Sequence, residues 1–105
     1  MIELQDSFKG RGEVSNYSFK KVVSNNTAYV YEISDDNNNL HYEAFKRKES
    51  KKHVSHIAGI DISYEAKVNY PTSNNFGVTA RCFKSFESAM IKFDQINNRK
   101  HENRN

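Results

Sequence analysis

The sequence predicts an α+β domain: an antiparallel sheet of four or five strands packed on one face by a single C-terminal helix. Three observations carry that expectation. Residues 13–47 and 60–70 are rich in β-favouring types in alternating apolar and polar order, interrupted by turns rich in Asn. One stretch, 85–97, has a helical period: at 100° per residue Phe86, Ala89, Met90, Phe93 and Ile96 fall within an arc of about 120°, the width of a core-facing stripe. Strands joined by short turns and followed by one helix leave that stripe a single place to be buried, the face of the sheet. Its four large side chains contribute on the order of 1.5–3 kcal/mol each on burial, more than helix propensity supplies to so short a segment.

Taken in order, Gly10 and Gly12 mark a bend before the first strand. Residues 13–23 place Tyr17, Phe19 and Val23 on one face and Val14 and Val22 on the other, and a bulge near Lys20-Lys21 reconciles the two sets. Ser24-Asn25-Asn26 is a short turn, because Asn tolerates positive φ. Residues 27–34 form the next strand, with Tyr29, Tyr31 and Ile33 on one face and Ala28, Val30 and Glu32 on the other. After the turn at 35–39, residues 40–47 return, Leu40, Tyr42 and Ala44 opposite in sense to His41, Glu43 and Phe45. Residues 49–58 are polar, basic and without period, and are expected to be a mobile connection closed by Gly59. Beyond it Ile60, Ile62, Tyr64, Ala66, Val68 and Tyr70 all fall at even positions, predicting one strand with one wet face, ended by Pro71. A loop at 72–75 and a short strand at 78–83 precede the helix, for which Ser85 is the expected N-cap.

The 105 residues suit one domain, expected over 1–98, with 99–105 a disordered polar tail that has nothing apolar to bury. The formal charge of +3 is too small to argue for nucleic acid on its own. Cys82 is the single cysteine and cannot form an internal disulfide. The opening Met1-Ile2-Glu3-Leu4-Gln5-Asp6 lacks the basic-then-apolar pattern of a secretion signal. No apolar run approaches membrane-spanning length, so a cytoplasmic location without membrane contact is expected.

The segment from Tyr70-Pro71 to Phe76-Gly77, with Ala80, Ser85 and Ala89, resembles the C-terminal half of small uncharacterised proteins encoded by bacteria, phages and mobile elements. Gly12-Glu13-Val14 and the run Tyr42-Glu43-Ala44-Phe45-Lys46 are similar to them as well. The resemblance implies an accessory protein and brings no activity and no site.

Four groups of residues invite a chemical reading. His53 and His56, with His41, Asp61 and Cys82, have the residue types of a metal site but lack converging spacing, and neither metal nor cofactor is expected. His41 and Glu43 share a strand face beside Ser63 or Cys82, yet no nucleophile stands in a recognisable setting, so catalysis is not expected. Gly10-Arg11-Gly12 is not followed by a helix that would hold a phosphate. The fourth group is the basic run Lys46, Arg47, Lys48, Lys51 and Lys52 beside Tyr29, Tyr31 and Phe45. Sheets that bind single-stranded nucleic acid expose aromatic rings for base stacking and ring them with cations. The competing reading makes those aromatics core and the cations a solvated loop, and it is preferred.

The expectation is therefore a non-enzymatic binding or accessory protein of phage or mobile-element type, acting on a protein partner or a second copy through a sheet face or the 46–52 segment. A single-stranded nucleic-acid-binding module is the alternative, and a small enzyme the third reading.

Overall fold

The alternation in 27–34 and 40–47 is realised as two neighbouring strands at the centre of one sheet. In the computed structural model, which describes residues 1–10, 12–71 and 80–102, β1 (Ser7–Lys9), β2 (Ser18–Ser24), β3 (Ala28–Ser34), β4 (Leu40–Lys46) and β9 (Ala80–Phe83) form a five-stranded antiparallel sheet in the order β1-β2-β3-β4-β9. Between β4 and β9 come β5 (Glu49–Ser50), β6 (His53–Ile57), β7 (Ile60–Tyr64) and β8 (Lys67–Val68), which pair as β5-β8 and β6-β7. The helix α1 (Phe86–Glu102) is the last described element, and the fold is α+β.

Both tight connections in the central meander are held by a side chain that mimics backbone. Asn25 Oδ1 accepts the N–H groups of Thr27 and Ala28 at 2.8 and 2.9 Å. Asp35 Oδ1 accepts those of Asn37 and Asn39, each at 2.9 Å, while Asn38 takes a positive φ of 62°. The bulge expected near Lys20-Lys21 lies one residue later, where the register shifts between Lys21 and Val23. Val22 is the extra residue, so Lys21 and Val23 face opposite sides of the sheet although two positions apart.

One face of the sheet carries Ala28, Val30 and Ala44 beneath Ala89, Phe93 and Ile96 of α1, with Val23, Tyr42, Phe83 and Met90 packed around them. Three of the six buried members are alanines, so Phe93 and Ile96 supply much of the apolar volume of this layer. The stripe is narrower than the sequence suggests: Phe86, at the helix start, is 43% exposed and touches the Tyr42 ring at 5.7 Å. Ser85 is the N-cap, its Oγ accepting the Ser88 N–H at 3.2 Å, a contact that contributes about 1 kcal/mol.

The opposite face holds a second core of Phe19, Tyr29, Tyr31, Ile33, Phe45 and Val68, flanked by Leu4, Phe8, Tyr17 and Tyr70. Its cover is not a helix but two extended pieces of chain. Residues 1–6 form a strap across it: Ile2 donates to the Ala66 carbonyl at 2.9 Å and accepts from Val68 N–H at 2.8 Å. Tyr31 donates its hydroxyl proton to the Gln5 carbonyl at 2.6 Å, and Lys21 Nζ donates to the Leu4 carbonyl at 3.0 Å. The other piece brings in Tyr70, whose ring meets Phe8, Phe19, Tyr31 and Phe45 edge-on at 4.8–5.7 Å.

Several expectations are corrected. The strand expected from residue 13 begins at Ser18, because a 3-10 turn over Gly12–Val14 packs the Val14 carbonyl against Gly10, where a Cβ would lie 2.1 Å from that oxygen. The mobile connection 49–58 contains β5 and β6, since 60–64 and 67–68 supply their ladder partners. The single strand 60–70 is divided after Tyr64: its first three even residues belong to a hairpin away from the main sheet, while Val68 and Tyr70 turn back to the second core. The helix runs past residue 98 to Glu102, so the backbone at 99–102 is helical rather than part of a disordered tail, in keeping with the high helix propensity of Arg, Lys and Glu. The loop 72–75, the first two residues of the strand expected at 78–83, Arg11 and the tail residues 103–105 lie outside the described residues.

Candidate functional site

Tyr29, Tyr31 and Phe45 are 0–1% exposed, so none offers a face to a base. Strand parity puts them on the side away from the helix, and the strap covers them there. The Phe45 ring packs against both tyrosine rings, with centroids 5.4 Å from Tyr29 and 5.7 Å from Tyr31, while the two tyrosines lie 6.4 Å apart. The stacking platform read from the sequence is therefore the interior of the second core. Sequence reasoning missed the strap because residues 1–6 carry only Ile2 and Leu4 as apolar strand formers and are held chiefly through polar contacts.

Arg47 is likewise committed within the fold. It grips Glu3 with two parallel bonds, Nη1 to Oε1 at 2.7 Å and Nη2 to Oε2 at 2.5 Å, and Glu49 through Nε at 2.7 Å. Tyr29 donates its hydroxyl to Glu3 Oε1 at 3.0 Å and accepts from Arg47 at 2.7 Å. These bonds, the Arg47 ones foremost, hold the Glu3 carboxyl down to about 2. Lys48 has its own interactions. Of the basic run, Lys46, Lys48, Lys51 and Lys52 are exposed and Arg47 is half-buried.

Glu43 and Cys82 do come together, as opposed residues of β4 and β9. The Glu43 carboxyl is buried, accepts the Tyr70 hydroxyl at 2.6 Å and faces the Cys82 thiol at 3.8 Å. Burial pushes the Glu43 carboxyl above its ordinary range, against the pull of Tyr70, His41 and Cys82. Burial and the adjacent Glu43 push the Cys82 thiol up to about 11, which keeps it protonated and a poor nucleophile. Ser63 is not in this group; it lies on β7. Glu43, Cys82 and Tyr70 together make a polar knot that joins β4, β9 and the chain at residue 70.

The knot has a consequence for pH. A carboxyl whose folded value is raised keeps its proton where the unfolded chain, with its ordinary value of about 4.3, has lost it. Its contribution to stability is complete below that ordinary value and is lost as pH rises through the raised one. Glu43→Gln, which still accepts from Tyr70, should remove this loss: denaturant midpoints of the variant should gain on the wild type as pH rises. A constant difference across pH would show that folding does not raise the Glu43 carboxyl.

His53 and His56, three apart on a strand, point to opposite faces and cannot converge on one ion. His53 stacks on Tyr64 at 4.6 Å and His56 pairs with Asp61. Among the described residues no group of three His, Cys, Asp or Glu side chains is placed to hold a metal. No described helix is long and apolar enough to cross a membrane.

The hairpin β6–β7 is the feature with the most unsatisfied surface. Its register pairs His53 with Tyr64, Ser55 with Ile62 and Ile57 with Ile60 on one face, and Val54 with Ser63 and His56 with Asp61 on the other. The first face carries Ile57, Ile60, Ile62 and Tyr64 beside Ser55 and His53. Ile57 is 54% exposed and Ile60 63%, with Ile62 and Tyr64 more than a third exposed. Both strands are exposed along nearly their whole length and pack chiefly on each other. Lys51 and Lys52 stand at the base of this arm. The even-position rule identified Ile60, Ile62 and Tyr64 as one face, but the sequence carried no signal that these side chains would stand on an exposed hairpin. Compared with known proteins, the chain matches no family model, no curated sequence and no solved structure.

Proposed function

We propose that this chain is a non-enzymatic binding protein that engages a protein partner through the β6–β7 arm. The observation that carries the reading is the apolar face of Ile57, Ile60, Ile62 and Tyr64, left open on a projecting hairpin. Contiguous exposed apolar surface of this kind marks interaction sites. A two-stranded hairpin is also marginal in water and gains stability when its apolar face is covered. The accessory role in a phage or mobile element rests on the resemblance carried by Tyr42-Glu43-Ala44-Phe45-Lys46 and the C-terminal half. Single-stranded nucleic-acid binding is the second reading, favoured by the exposed Lys46, Lys51 and Lys52 and weakened by the burial of the three aromatics.

Two measurements test the choice. Immobilised wild-type chain and an Ile60→Lys, Ile62→Lys variant are exposed to a bacterial lysate, and retention of proteins that depends on the arm is expected. Equal retention by both rejects the arm. A mixed-sequence oligonucleotide followed by fluorescence anisotropy should show no binding at physiological salt. Micromolar binding whose log–log salt slope flattens by roughly 1.4 when Lys51 and Lys52 are replaced would put the nucleic-acid reading first.

A further inference from the structure

We propose that the occupant of the arm is a second copy of this chain, with the outer edge of β7 pairing antiparallel with itself about a two-fold axis at Ile62. The inference rests on the reading of the arm as a binding surface and goes beyond it by naming the partner and the register.

The backbone of the arm sets which groups are free to pair. Ala58 at φ 52° and Gly59 at φ 77° form the two-residue turn, with Ile57 facing Ile60 across it. In such a hairpin the residues flanking the turn exchange both of their hydrogen bonds, and bonded and non-bonded pairs then alternate along the ladder. The amides and carbonyls of Ile60, Ile62 and Tyr64 therefore face β6, and those of Asp61 and Ser63 face outward. Among the described residues no third strand joins this sheet, which leaves the outward groups as a template for another strand. An unpaired edge strand carrying Ile60, Ile62 and Tyr64 is the kind that pairs with its like.

Side chains and charge then select the register. Centred on Ile62, the pairing sets Ile62 against the partner's Ile62, Ile60 against the partner's Tyr64 and Asp61 against the partner's Ser63. Every apolar residue meets an apolar one and no like charges are opposed. Moving the centre one residue, to Ser63, would oppose Asp61 to the partner's Glu65, a destabilising pair of like charges. The chosen register also places the outward amide and carbonyl of Asp61 against those of the partner's Ser63, satisfying the edge. Two arms joined in this way make four strands with Ile60, Ile62 and Tyr64 of both copies on one face, past the three that an independent sheet needs. A lipid surface would leave the same edge groups without partners.

The contact is small, because one arm spans only residues 53–64 against the roughly 20–30 residues a side of a standard interface. The dimer is accordingly weak and its population depends on concentration.

The test uses the full chain. Sedimentation over a wide concentration range should show a monomer–dimer equilibrium for the wild type, lost in Ile62→Lys, which places two cations against each other at the axis. Circular dichroism shows whether that variant keeps its fold. In a Cys82→Ser background, Ile62→Cys should form a disulfide-linked dimer under copper–phenanthroline oxidation, because opposed non-bonded residues bring Cα atoms to about 4.5 Å, within disulfide range. Tyr64→Cys alone should not cross-link with itself, but it should do so when mixed with Ile60→Cys. A monomer at all concentrations, or cross-linking of Tyr64→Cys as fast as Ile62→Cys, overturns the proposal. A monomer that still retains another protein through the arm overturns the second copy and leaves the binding reading standing. A monomer with no arm-dependent retention overturns both.

Discussion

Phe93→Ala should lower the stability of this domain by roughly 3–5 kcal/mol. Phe93 is 6% exposed and lies in a layer where Ala28, Ala44 and Ala89 can neither move into the vacancy nor replace the lost contacts. Truncation removes the transfer free energy of the ring and leaves a cavity between two rigid backbones, the helix and the sheet, which relax little. The loss is a large share of the 5–15 kcal/mol that holds a typical domain. Urea unfolding reads it as a lower midpoint with an unchanged slope. An unaltered midpoint would mean that α1 does not depend on the sheet.

A loss of the same size, roughly 3–5 kcal/mol, is expected for Phe45→Ala on the other side of the sheet. Phe45 is 1% exposed and touches Tyr29, Tyr31 and Tyr70 at ring distances of 4.8–5.7 Å. Each such ring pair adds about 0.5–1.5 kcal/mol beyond burial of area, which moves the expectation toward the upper end. Near-ultraviolet circular dichroism follows the loss, because the tyrosines that surround Phe45 report their packing. The neighbouring exposed Lys46 is the control: Lys46→Ala should stay within about 0.5 kcal/mol. Were Phe45 a stacking platform open to solvent, its removal would leave the midpoint in place and cost oligonucleotide binding instead.

The two variants probe opposite faces of β3 and β4, and the division between those faces was legible from residue order alone. Tyr29, Tyr31 and Ile33 alternate with Ala28 and Val30, and Phe45 with Ala44, so period-two parity assigned each side chain to its face. The helix was legible for the same reason, with Ala89, Phe93 and Ile96 in register along one stripe. What parity does not encode is the identity of the cover. The aromatic face is closed by Leu4, Val68 and Tyr70, which come from distant parts of the chain, and although Val68 and Tyr70 fall on the even-position face, parity does not say which sheet that face covers. Arg47 read as one cation in a basic run because its partner Glu3 is 44 residues away. The arm eluded the sequence reading differently: His53-Val54-Ser55-His56-Ile57 has no clean period, and only its ladder with residues 60–64 makes it a strand.

The strap over the second core also fixes a sequence of events in folding. Ile2 bonds to Ala66 and Val68, and Glu3 to Arg47, so the opening residues have nowhere to dock until most of the chain exists. Closing so long a loop costs more entropy than closing the short turns at Asn25 and Asp35, and non-local pairings of this kind form slowly. The β2–β3–β4 meander assembles through its local turns while its tyrosines stand open on one side. During synthesis residues 1–6 leave the ribosome before their partners at 47, 66 and 68, so the strap must wait for later chain before it can shut the aromatic core.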